Sequence, residues 1–218
     1  MIHAVIFNLD GVLVSTDQCH YQAWRELAHE QGVPFSQAIY GRIAGMKRMD
    51  SLKLLLKKAE RKYSPAEYWA LSARKNDIFN DLIVRLGREA ILPGAEETLK
   101  ALREMGVKTG VASSSENARG ILRQLKLDAL IDATVDGGEV KSGKPDPEVL
   151  LLTARKLSVP TNECLVIDNT KAGEEAARNA GMRCLTVQSA VLDQGDSGAP
   201  RDLMELNLPA LLRQRQEL

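Results

Sequence analysis

The run Ala4-Val5-Ile6-Phe7-Asn8-Leu9-Asp10-Gly11-Val12-Leu13 decides how the rest of the chain is read. Four consecutive apolar residues, with β-branched Val5 and Ile6 inside, predict a short strand buried on both faces. Polar groups and a glycine follow at once, the pattern of a strand that ends in a tight loop. Ligands of open α/β sheets bind beyond the carboxyl ends of such strands, which makes Asn8 and Asp10 candidate site residues. Two positions apart on extended backbone, they can reach one cavity. Taken alone, Asp-Gly after an apolar run reads as a turn; the other strand ends supply the context.

Outward from that strand, residues 16–88 read as all-helical. Asp17 to Gln31 carries Trp24, Leu27 and Ala28 at helical spacing, and Gly32 closes it. A short helix over Ile39 to Ile43 precedes Gly45, and the leucine-dense stretch Asp50 to Ala59 reads as a helix buried in a bundle. Ser64-Pro65-Ala66-Glu67 starts a long helix, with an N-cap serine, proline at the first position and glutamate three after the cap. Beyond Pro93-Gly94 the pattern alternates: helix 95–104, strand 107–112, helix 116–125, strand 131–135, helix 147–157, strand 164–167, helix 172–180, strand 183–187. Such alternation implies a doubly wound parallel sheet with helices on both faces, an α/β fold. The helical block is then an insertion, giving a core of 1–15 with 89–218 and a helical cap of 16–88. Residues 189–200 read as a loop and 201–215 as a final helix.

Composition narrows the function. Lysine plus arginine equals aspartate plus glutamate, 29 each in 218 residues, so no global charge recruits nucleic acid or a membrane. No apolar run has spanning length, and Met1-Ile2-His3 leads straight into a strand, so no signal peptide is expected. Cys19, Cys164 and Cys184 are odd in number and unpatterned, which fits a reducing cytoplasm and small buried hydrophobes rather than disulfides or a metal.

Three more strand ends carry polar groups. Ser113-Ser114-Ser115 follows Val111-Ala112 and opens a predicted helix whose N-terminal amides could receive phosphate. Lys144-Pro145 precedes another helix, and Cys164-Leu165-Val166-Ile167 ends in Asp168-Asn169. Each alone has a dull alternative: an N-cap, a solvated lysine, a turn. In this order and at these strand ends they resemble the four motifs of the haloacid dehalogenase superfamily, and within it the beta-phosphoglucomutase branch. The resemblance covers essentially the whole chain, with the helical block in the position of that family's mobile cap.

The resemblance implies a phosphosugar phosphoryl-transfer protein that works through an aspartyl-phosphate, or a sugar phosphatase as the near variant. Asn8 falls at the nucleophile position and Asp10 at that of the general acid and base, with Thr16 and His20 supporting it. Ser113, Ser114 and Lys144 would hold the phosphoryl oxygens. Trp24, Gly45, Arg48, Ser51, Lys75, Ser115 and Asn117 would face the substrate from the cap and its rim. Magnesium would lie among Asn8, Asp10, Asp168 and Asn169. The implied partner is a small sugar phosphate or inorganic phosphate, bound by a monomer. Phosphoryl transfer needs these types because it is chiefly in-line positioning and neutralisation of oxygen charge.

Asn8 departs from the pattern, since a carboxamide oxygen is a poor nucleophile. Asn169 departs too, being an uncharged ligand where magnesium relies on one or two carboxylates. Ala44 and Glu116 stand where basic residues are usual. The chain as written is therefore expected to turn over little, and a phosphosugar-binding or regulatory protein without turnover is the alternative. In the family's usual site four carboxylates, one lysine and the metal leave one net negative charge. Asp10, Asp168 and Lys144 alone also leave one, so the pocket is expected to accept phosphate with magnesium weakly bound or absent.

Overall fold

The computed structural model of the chain describes residues 1–57, 59, 61–188 and 200–213. Five strands, β1 (Ala4–Phe7), β2 (Lys108–Ala112), β3 (Ala133–Val135), β4 (Cys164–Asp168) and β5 (Arg183–Thr186), form one parallel sheet in the order β3-β2-β1-β4-β5. The first strand is thus central, as its unbroken apolar run predicts. Its side chains alternate between two cores. Val5 and Phe7 enter one with Leu99, Leu102, Ile121 and Leu122, while Ala4 and Ile6 enter the other with Val149, Leu150, Ala176 and Ala177. Helices α5 (Ala95–Glu104) and α6 (Ala118–Gln124) cover the first face, and α7 (Glu148–Leu157) and α8 (Lys171–Asn179) the second. Full burial of a side chain such as Ile6 or Phe7 contributes about 1.5–3 kcal/mol.

Between β1 and α5 stand α1 (Asp17–Glu30), α2 (Gln37–Ile43), α3 (Arg48–Leu56) and α4 (Pro65–Ile83). The sequence sets their ends. Gly32 takes φ +65°, the left-handed turn after α1. Ser64 and Glu67 form the reciprocal capping box that starts α4. Trp24, Leu27, Tyr40, Ile43, Leu52 and Leu55 make a separate apolar cluster, whereas Cys19, Ala23, Ile78 and Phe79 pack into the sheet's core. The chain leaves and returns at one place, because Val14 bridges Ile91 and Leu92 N–H donates to the Leu13 carbonyl.

Three expectations are corrected. Helix α6 begins at Ala118 rather than 116, because the amides of Ser115 and Asn117 are taken by the Ser113 and Ser115 hydroxyls. The strand expected at 131–135 is shortened to Ala133–Val135; there the Asp132 carboxylate accepts from Thr109 N–H. The final helix over 201–215 is instead a 3₁₀ turn at Leu203–Glu205 and a short α9 (Leu208–Arg213), since Asp202 caps the turn and Leu206 is extended. The loop expected at 189–200 lies, apart from Pro200, outside the described residues.

Candidate active site at the strand ends

Parallel register brings the predicted residues together. Phe7 pairs with Val111 on one side and Ile167 on the other, so Asn8, Ser113, Asp168 and Asn169 emerge at the same edge of three adjacent strands. Lys144 reaches the same point from the loop before α7 and is 2% exposed. Its Nζ donates to Asp168 Oδ2 at 2.7 Å, the Ala112 carbonyl at 3.0 Å and Asn8 Oδ1 at 3.3 Å. Asp168 Oδ1 accepts from the Thr170 amide and hydroxyl, each at 2.9 Å, so both its oxygens are engaged.

Asn8 Nδ2 donates to the Asp10 carbonyl and to Asn169 Oδ1, each at 3.0 Å. Asn169 Nδ2 in turn donates to Asp17 Oδ2 at 3.1 Å. Asp17 is a site-lining residue that the sequence does not single out, reading only as the first residue of a helix. A carboxylate one position after Thr16 was the available signal. Gly11 (φ +78°) leaves room for this contact: a Cβ there would lie 2.2 Å from both Asn169 Nδ2 and Asp17 Oδ2. Asp17 also upsets the expected charge balance, because the set of Asp10, Asp17, Asp168 and Lys144 carries one negative charge more.

Thr16, Ser113 and His20 gather around Asp10, at the position where the resemblance implies a general acid and base. Asp10 accepts from the Thr16 hydroxyl, lies 3.4 Å from Ser113 Oγ and has His20 Nε2 at 3.6 Å. Burial pushes the Asp10 carboxyl up, but His20, Thr16 and Lys75 together outweigh it and hold it below its ordinary value. His20 is stacked on Phe79 at 4.0 Å, and its Nδ1 is 2.8 Å from Lys75 Nζ. Burial and the Lys75 charge pull its pKa down. With Nε2 toward a carboxylate and Nδ1 toward an amine, a neutral ring protonated at Nε2 satisfies both neighbours. Lys75 is 3% exposed, over the rings of Trp24 and Phe79, and burial followed by the Arg48 charge lowers its pKa to about 7.

Helical residues close the mouth. Arg48 pairs with Glu116, Ser114 Oγ donates to the Gly45 carbonyl, Asn117 Nδ2 donates to Asn76 Oδ1, and Lys47 Nζ reaches the Val140 carbonyl. Ser51 bonds the Ile43 carbonyl and lines the cavity with Trp24, Arg48, Lys75 and Ser115. The enclosed space is only about 60 Å³, well under the 300–1,000 Å³ usual for a ligand pocket. Ser113 and Lys144 lie behind it, covered by Asn8 and Asp10, so the expected anion site is sealed in this closed arrangement.

Residues 2–181 match the haloacid dehalogenase-like hydrolase family. The chain belongs to that family. It is 37% identical to the beta-phosphoglucomutase of Bacillus subtilis over 210 residues, covering 95% of this chain and 93% of that protein. It is 32% identical to a phosphorylated carbohydrates phosphatase of Thermotoga maritima, covering 83% and 82% of the two chains. The crystal structure of a beta-phosphoglucomutase from Clostridium difficile superposes with a TM-score of 0.87 at 31% identity, over 97% of this chain and 96% of that one.

The magnesium that the family resemblance implies does not fit these side chains. To offer oxygen to a cation beside the Asp10 carbonyl and Asn169 Oδ1, the Asn8 amide must turn over. Its NH₂ group would then face the Lys144 ammonium, donor against donor. The resulting oxygens would all be neutral, while magnesium relies on one or two carboxylates. Both Asp168 oxygens are already held. Among the described residues, no cluster of three or more His, Cys, Asp or Glu side chains is placed to hold a metal.

Proposed function

We propose that the chain binds a phosphorylated sugar between the helical block and the strand ends and does not transfer its phosphoryl group. The observation that carries this reading is Asn8: the group at the nucleophile position is a neutral amide whose oxygen accepts from Lys144 and whose nitrogen donates twice. An amide oxygen in that setting has no charge to direct at phosphorus. The grip on a ligand is less altered. Arg48, Lys75, Ser114, Ser115 and Asn117 line one cavity, and Arg48 with these donors suits a sugar's phosphate. In the closed arrangement Glu116 occupies Arg48, so the helical block must lift and the phosphate must displace Glu116. The relatives named as a beta-phosphoglucomutase and a carbohydrate phosphatase support the ligand class.

A phosphoryl-transferring enzyme is the rival reading, favoured by the retained Asp10, Thr16 and His20 arrangement. Two measurements separate them. Calorimetry with glucose 6-phosphate should show binding that is lost in Arg48→Ala. Intact-mass analysis after exposure to an acyl phosphate donor should show no adduct, and neither phosphate nor an isomer should form. A phosphoryl adduct on protein free of Asn8 deamidation, or turnover, would establish the rival; no binding of any sugar phosphate would refute the proposal.

A further inference from the structure

Lys144, Asn8, Asn169 and Asp17 form a chain of hydrogen bonds with one direction. An ammonium, which can only donate, stands at one end, and a carboxylate, which accepts when ionised, at the other. These ends dictate both amides between them. Turning over Asn8 would set NH₂ against the ammonium, and turning over Asn169 would set its oxygen against the carboxylate. The Asn8 nitrogen therefore points between the Asp10 carbonyl and Asn169 Oδ1, two oxygens at which the family resemblance places the cation. The chain also links separate elements: the loop before α7, the end of β1, the end of β4 and the start of α1. Gly11 arches over its last bond with no room for a Cβ, so the backbone is shaped around the contact.

We propose that this directed amide chain, ending on Asp17, is a permanent replacement for the divalent cation: it stands in the metal's place, ties the strand ends to α1, and excludes the metal. The cation's two tasks, bridging oxygens and drawing loops together, pass to N–H donors that need no metal in solution. Asp17 has a specific part. By fixing Asn169 Nδ2 it forces Asn169 Oδ1 toward Asn8 and so fixes the donor in the cation's place. The inference concerns the metal alone and holds whether or not a sugar phosphate binds.

The test compares the native chain with Asn8→Asp/Asn169→Asp, using manganese as a paramagnetic probe and thermal unfolding in EDTA or millimolar magnesium. The native chain should leave manganese free and melt at the same temperature in both buffers. The double variant should bind manganese. Magnesium at a hundredfold excess over its dissociation constant should raise its melting temperature on the order of 5–10 °C. Should the new carboxylate beside Asp17 prevent folding, Asn8→Asp/Asn169→Asp/Asp17→Ala replaces it with the same expectation. Asp17→Leu should melt lower than the native chain, equally in both buffers. Stoichiometric manganese binding by the native chain, or a magnesium-dependent melt, would overturn the proposal. So would failure of the folded reverted variant to bind metal, since the two asparagines would then not be what excludes it.

Discussion

On the strand side of the pocket, Asn8, Asn169, Lys144 and Asp168 satisfy one another, and every atom the chemistry might use is engaged. On the helical side, Lys75 is buried with a histidine and two aromatic rings around it, and no ion pair among the described residues reaches it. Among the described residues, Arg48 pairs with a half-exposed glutamate. The floor is a closed network of hydrogen bonds, while the roof buries the Lys75 ammonium. A buried charge without an opposite charge beside it is a standing destabilisation, and an anion placed there would relieve it. Within one cavity the floor side chains are bonded to one another, while the roof presents an ammonium and a guanidinium.

The largest expected effect breaks the floor. Lys144→Met leaves Asp168 a buried carboxylate with only the Thr170 donors, and unfolding in urea should show a loss of about 3–5 kcal/mol. A loss under about 1 kcal/mol would mean that water reaches the pair and that the floor is not the closed network described.

The roof should respond with the opposite sign. Lys75 has a folded-state pKa of about 7 against an ordinary 10.5, so the unfolded chain holds more protons between those values. Stability therefore rises with pH across that window, and the full penalty is present below about pH 7. Lys75→Met should be more stable than the native chain by a few kcal/mol at pH 6, because each tenfold loss of proton affinity on folding costs about 1.4 kcal/mol. That gap should close as pH climbs toward 10. A gap that stays constant with pH would show that packing, not charge, sets the difference.

The smallest effect lies where roof meets rim. Glu116→Gln removes an exposed partner of Arg48 and should change stability by less than about 1 kcal/mol. The same change should tighten glucose 6-phosphate binding a few-fold, because the competitor for Arg48 is weakened. Equal affinity in the two proteins would sever Arg48 from the phosphate.

Much of this comparison was legible in the sequence, for identifiable reasons. The sheet was readable because a central parallel strand needs an unbroken apolar run, as Ala4–Phe7 and Cys164–Ile167 supply. Long helices with capping signals, such as α4 after Ser64-Pro65, were equally plain. Helix α6 was misjudged at its start because the same hydroxyls that can cap a helix can bond their own neighbours in a turn, as Ser113 and Ser115 do. The C-terminal segment has an apolar count that suits one helix, but the Asp202 cap breaks it into two pieces. Of the candidate site, the residues on strand ends could be placed side by side because parallel topology gathers them. The Asn169–Asp17 contact was not, since it joins residues 152 positions apart through a helix start that carries no motif. The closed mouth was also invisible: its pairs are ordinary surface residues until two elements meet.

Asp17 couples position 169 to position 17. With a neutral residue at 17, a carboxylate at 169 would be free of that neighbour's charge. With Asp17 in place, Asn169→Asp sets a second carboxylate about where an amide now donates, 3.1 Å from Asp17 Oδ2. With no cation between them the two carboxylates repel, which penalises the substitution that would put a charged ligand at residue 169. An acidic residue at 169 is therefore accommodated at least cost with a cation bound or with residue 17 changed as well, so the two positions are coupled.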